Sequence, residues 1–172
     1  MKKIIAIIIL LTAGYGFVSA QQSYTSVNYV ISFPTGDLND YASKTSFRGF
    51  MFQYRGGVMN EYLAVGCDLG WNAFYEEKDY ATYTDGTASL SGRQWRYSNH
   101  YPILLSADYF IRPGEDFNPY VSFGLGTMYT NRKVLFGSFT ILQEAWHFAI
   151  KPEAGFIYDV HNNTGIKFSA MY

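Results

Sequence analysis

The chain has 172 residues, of which 16% are charged and 19% aromatic, with 16 Tyr and 14 Phe. A formal charge of -1 gives no electrostatic footprint for nucleic acid or a strongly acidic partner. The charged fraction also falls short of the roughly 25% of ordinary soluble domains, too little to clothe an exterior in charge.

Residues 1–20 have the organisation of a cleaved export signal. Lys2 and Lys3 precede an apolar run over residues 4–18, and Val18-Ser19-Ala20 is a small-residue cleavage site before Gln21. The rival is a retained membrane anchor. Its apolar core is shorter than the roughly 20 residues a spanning helix needs, and no basic flank follows. No Cys follows the cleavage site, so no lipoprotein anchor is expected. The remaining residues, 21–172, form one domain, and loss of Lys2 and Lys3 takes its formal charge to -3.

From there the sequence alternates, apolar or aromatic on one step and small, polar or charged on the next. Such a period of two belongs to strands with two unlike faces. Seven strands are predicted, over residues 24–33, 47–58, 62–75, 97–111, 118–130, 145–159 and 165–172. Long connections (34–46, 76–96, 131–144) alternate with short ones (59–61, 112–117, 160–164), as in membrane barrels with short periplasmic turns and longer extracellular loops. Arg112-Pro113-Gly114-Glu115-Asp116 and His161-Asn162-Asn163-Thr164 carry turn chemistry.

One face collects Val27, Tyr29, Phe52, Leu69, Trp71, Ile103, Leu105, Phe123, Trp146, Phe148, Ile166 and Phe168, and is expected to point outward into lipid. Tyr, Phe and Trp cluster at strand ends, where amphipathic rings form girdles at the water–lipid boundaries. The other face places Arg55, Lys151 and Lys167 with Asp68, Asp108 and Glu153 in the interior. Buried charges persist only when paired and hydrogen-bonded, so these six are expected to form a polar network filling a narrow barrel. Inward Gly66, Gly70, Gly124 and Gly126 would make room for long side chains. The competing reading of the same residues is a water-filled or ligand-lined conduit, with Met51, Leu104 and Met128 facing a hydrophobic ligand. Cys67 falls on the apolar face and reads as a small hydrophobe.

The sequence resembles the small outer-membrane β-barrel proteins of Gram-negative bacteria, the OmpA/OmpX- and OmpW-like group. The most similar segments are Ile31-Ser32-Phe33-Pro34-Thr35-Gly36-Asp37-Leu38 and Asn118-Pro119-Tyr120-Val121-Ser122-Phe123-Gly124-Leu125-Gly126-Thr127. The resemblance implies an all-β, antiparallel up-and-down transmembrane β-barrel in the outer membrane, with lipid and the barrel-assembly machinery as partners. It also implies eight strands where seven are visible. Either the chain stops before its last strand, the favoured expectation, or a short hairpin hides within residues 134–142.

Little points to chemistry. His100, His147 and His161 are the available bases for a lipid A-modifying enzyme, and Ser138 and Glu144 near His147 are neighbours in sequence without a motif. Asp37, Asn39 and Asp40 lack the remaining ligands of a calcium loop. No catalytic, metal or cofactor residue is assigned. In the second long connection, Tyr80, Tyr83, Trp95 and Arg96 are the candidate recognition residues, since loops rich in Tyr, Ser, Thr and Gly adapt to partners. The expected function is that of a non-enzymatic outer-membrane barrel in a structural or surface-interaction role. A small porin or hydrophobic-ligand conduit is the alternative, and a soluble lipocalin-like barrel the rival fold.

Overall fold

The computed structural model describes residues 23–85, 88–136, 139–161 and 164–172. The export signal lies outside these residues. Among the described residues, seven strands form one sheet, β1 (Tyr24–Tyr29), β2 (Gly49–Asn60), β3 (Leu63–Asp85), β4 (Ala88–Phe110), β5 (Phe117–Phe136), β6 (Phe139–His161) and β7 (Thr164–Met171). Each pairs antiparallel with its neighbour in chain order, and a short helix, α1 (Asp37–Tyr41), interrupts the β1–β2 connection. The sheet curls into a nearly closed up-and-down barrel.

Two expected loops are strand. Residues 76–85 and 88–96 continue the β3–β4 ladder, with Tyr75 opposite Tyr97, Glu77 opposite Trp95 and Thr82 opposite Ser91. Residues 131–136 and 139–144 continue β5 and β6 as far as the Phe136–Phe139 pair. These segments are polar, which read as loop. Yet Thr, Tyr and Val suit an extended backbone. The hairpin suspected within residues 134–142 is the tip of β5–β6 and adds no eighth strand. In the opposite direction, β1 ends at Tyr29, four residues earlier than expected. Beyond it the chain keeps only the Val30–Gly49 hydrogen bond and a lone bridge between Ser32 and Ser46.

The short connections lie at the lower end. Asn60 Oδ1 accepts from the N–H groups of Tyr62 and Leu63 (both 3.1 Å), and Gly114 takes φ 82° in the β4–β5 turn. That left-handed conformation suits glycine, which has no Cβ to clash.

The alternation resolves into two faces. Leu105 is 74% exposed and Ile150 56%, while their strand neighbours Ser106 and Lys151 are buried. The barrel is therefore apolar outside and polar inside, the inverse of a soluble lipocalin-like barrel. Rings line both ends of the apolar wall: Tyr62–Tyr109 and Phe117–Phe156 below, Tyr101–Tyr129 and Tyr129–Trp146 above, with centroids 5.2–6.3 Å apart. Inside, a small apolar floor of Ala64, Phe110 and Tyr120 closes the lower end.

An odd number of strands in an antiparallel meander makes β1 and β7 run the same way, and each is paired on one side only. The two edges meet through side chains, with Lys167 Nζ 6.0 Å from the centre of the Tyr24 ring.

Candidate functional site

Alternation brings charged side chains from five strands together in the lower half of the interior. Arg55 (β2), Asp68 (β3), Asp108 (β4), Lys151 and Glu153 (β6) and Lys167 (β7) form one continuous chain of ion pairs. Arg55 Nη1 lies 2.5 Å from Asp68 Oδ1, and its Nε is 2.9 Å from Asp108 Oδ1. Lys151 Nζ bridges Asp68 Oδ2 and Glu153 Oε2, both at 2.5 Å. Lys167 Nζ completes the chain 3.1 Å from Glu153 Oε1. All six sequence-predicted interior residues thus come together.

Neutral donors saturate the carboxylates. Tyr24 (β1) and Ser122 (β5) each donate to Asp108 at 2.5 Å, Ser106 donates to Asp68 at 2.6 Å, and Tyr120 donates to Glu153 at 2.5 Å. Gln53 braces the Glu153–Lys167 end, donating to Glu153 at 3.2 Å and accepting from Lys167 at 2.6 Å. Every strand contributes. One group is left over: Arg55 Nη2 is buried without a hydrogen-bond partner among the described residues, and Nε, though close to Asp108, is poorly aligned to it. Of the inward glycines, Gly70 and Gly124 make room for side chains, whereas a Cβ on Gly66 or Gly126 would meet the backbone of the neighbouring strand. A Cβ on Gly124 would sit 2.7 Å from Ser106 Oγ and 3.4 Å from Lys151 Cβ, so a larger residue would press on the ammonium's stem.

Above this network lies a belt of Met51 and Leu104, both buried. Above that, His100 Nε2 faces Ser98 Oγ at 2.9 Å and Nδ1 faces Thr130 Oγ1 at 3.2 Å, with Phe74 edge-on to the ring. His147 is exposed on the upper part of β6, Glu144 accepts from Asn131 at 2.9 Å, and Ser138 and the side chain of His161 lie outside the described residues. No serine–histidine–carboxylate arrangement is assembled among the described residues, and no group of three metal-ligating side chains converges among them. Asp37 and Asp40 are exposed on α1.

The upper mouth holds what sequence reasoning missed. The β1–β2 connection folds across it. Tyr41 Oη is 3.3 Å from the carbonyl oxygens of Tyr97 and Lys133, Ala42 is wholly buried, and the Ser43 N–H and Oγ donate to the Glu76 carboxylate. Arg96 and Arg132 lie over the Tyr41 ring, 5.4 and 5.2 Å from its centre. Burial, partly offset by these two guanidinium groups, raises the Tyr41 hydroxyl above its ordinary range. Burial also opposes ionisation of Glu76, but Lys78 Nζ at 2.7 Å and Ser43 outweigh it and hold the carboxyl below the usual carboxylate range.

Of the predicted recognition residues, Arg96 belongs to this cluster. Trp95 points to the opposite face of β4, Tyr80 is exposed farther up β3, and the side chain of Tyr83 lies outside the described residues. The four do not form one site. Arg132 was legible in principle: extending the alternation of β5 past Thr130 places it inward.

The fold and interior define a seven-stranded, nearly closed β-barrel with an ion-paired core. The chain matches no protein-family model, no curated protein and no solved structure.

Proposed function

We propose that the chain is an integral outer-membrane β-barrel protein without enzymatic activity, in a structural or surface-interaction role. The observation that carries this reading is the inversion of the barrel, with charge locked inside and large apolar side chains outside. In water that arrangement would expose an unbroken apolar wall, far beyond the few hundred Å² a soluble monomer tolerates. In lipid it is the favourable one.

The dimensions agree. Eight residue steps separate the girdle residues Tyr101 and Tyr109. At about 3.4 Å per step and a tilt of about 40°, they span about 21 Å, close to the roughly 25 Å apolar band of such barrels. Outer-membrane lipid and, during insertion, the barrel-assembly machinery are the partners this reading entails. The upper hairpins, which stand clear of the band, are the surface offered to the cell exterior.

The interior favours a plugged barrel over a conduit, because paired side chains from all seven strands occupy its lower half. The test combines heat-dependent gel mobility of the protein folded in detergent with conductance in planar bilayers. A heat-modifiable species that passes no steady current is expected. Steady channels would replace this reading with the porin one.

A further inference from the structure

The inner wall treats its charges unequally. Arg55, Lys151 and Lys167 each lie within 3.1 Å of a carboxylate oxygen, and Lys78 is 2.7 Å from Glu76. Arg96 and Arg132, on the same wall at the upper mouth, are in no ion pair among the described residues. Arg96 is nonetheless engaged: its Nε donates to Gln94 Oε1 at 3.0 Å and Nη1 to the Tyr41 carbonyl at 3.1 Å. Glu76, opposite Arg96 in register, directs both carboxylate oxygens to Lys78 and Ser43 instead.

Arg132 is the exception. Its guanidinium rests over the Tyr41 ring, and its Nε is buried with no acceptor. Its terminal nitrogens make no hydrogen bond to the described residues and keep contact with solvent. Register places it diagonally beside Arg96, since Ser98 faces Arg132 while Arg96 faces Val134, so two cations share one stretch of inner wall. With Cζ held 5.2 Å from the Tyr41 ring centre, the terminal N–H groups remain free. Their edge is the fork that matches a carboxylate or phosphate in bidentate fashion.

We propose that the upper mouth is a binding site for a small oxyanion, a phosphate or carboxylate group, held by the free edge of Arg132, flanked by Arg96 and roofed by Tyr41. The anion supplies the counter-charge that the inner wall provides everywhere else. It arrives either dissolved or as the phosphate of a lipid headgroup at the rim. For a dissolved anion the inference stands independently of the membrane reading, whereas the headgroup source rests on it.

The test is calorimetric titration of inorganic phosphate, and separately of acetate, into the full chain folded in uncharged detergent. It is repeated in phosphatidylcholine vesicles with and without phosphatidic acid, following the Arg132 Nε–H resonance. Saturable binding is expected, weakened about 10-fold or more in Arg132→Gln, as loss of a charge-assisted pair implies. Arg93→Gln, at an exposed arginine paired with Glu77, should leave it unchanged. Unaltered heat-dependent mobility of Arg132→Gln shows that the variant folds. A response to free phosphate or acetate identifies a dissolved ligand, and a response confined to phosphatidic acid identifies a headgroup. No saturable response in any arm, or equal binding by Arg132→Gln, overturns the proposal.

Discussion

A single residue in this barrel belongs to one of two solvents, and its parity along the strand decides which. Leu105 and Ser106 are adjacent, yet the first is 74% exposed and the second hydrogen-bonds Asp68 in the interior. Leu105→Arg should cost about 2–4 kcal/mol in a urea titration in lipid vesicles, the penalty for a cation on the lipid face near mid-depth. An unchanged midpoint would contradict the assignment of that face. Inside, the coupling is tighter. Arg55→Met strips both Asp68 and Asp108 of their shared cation, and breaking a buried pair from one side costs about 3–5 kcal/mol. The same titration should show that loss, and a loss below about 1 kcal/mol would mean that Lys151 and the hydroxyl donors suffice. Gly124→Val adds a branched side chain against Ser106 and Lys151 and should cost about 1–3 kcal/mol through overpacking. All six network residues were legible in the sequence, because an inward charge in a narrow interior needs an opposite one. Their pairing order was not, because it depends on the stagger between neighbouring strands.

Elements were legible where two faces differ and illegible where they do not. All seven strands follow from alternation, since each separates an apolar outer wall from a polar interior. Past the girdles the outward positions carry Glu77, Asp79, Arg93, Asn131 and Lys133, so the alternation loses its contrast and polar composition reads as loop; hence the missed extensions of β3–β4 and β5–β6. The β1–β2 connection was hidden for another reason. Tyr41 is placed by contacts to carbonyl oxygens of Tyr97 and Lys133, distant in sequence and devoid of side-chain signature.

That connection has a pH signature. The Glu76 carboxyl is held below its ordinary range by Lys78 and Ser43, with Arg96 opposite it and Tyr41 and Arg132 across the mouth. A depressed folded-state pKa contributes stability above the unfolded carboxyl pKa, and that contribution fades as pH falls through the folded value. Hydrogen exchange at the Ser43 amide should therefore be slow at neutral pH and quicken in acid beyond the intrinsic trend. In Glu76→Gln that pH dependence should vanish. Persistence of it in the variant would assign the effect to another group.

At the scale of the whole molecule, the account joins an inverted barrel to a filled interior. The ion pairs of five strands, with the Tyr24, Tyr120 and Ser122 hydroxyls of β1 and β5 bonded to them, fasten the lower half of the barrel as one unit, and Lys167 carries the network across to β1 and β2. Exposed edges in lipid leave backbone groups without partners at several kcal/mol each, so the β1 and β7 edges should be the least protected strands in hydrogen exchange, and β4 and β5 the most. Equal protection at β1 and at β4 would show that the two edges pair directly.

The central claim is that the outer wall faces lipid while the interior is sealed from it. The most direct measurement is the accessibility of nitroxide labels in vesicles, on Leu105→Cys and Ser106→Cys in a Cys67→Ser background. The account predicts that the label at position 105 relaxes strongly with oxygen, which concentrates in lipid, and weakly with a water-soluble nickel chelate. At 106 both reagents should be nearly without effect. Strong relaxation of the 105 label by the nickel chelate would place that wall in water and contradict the account.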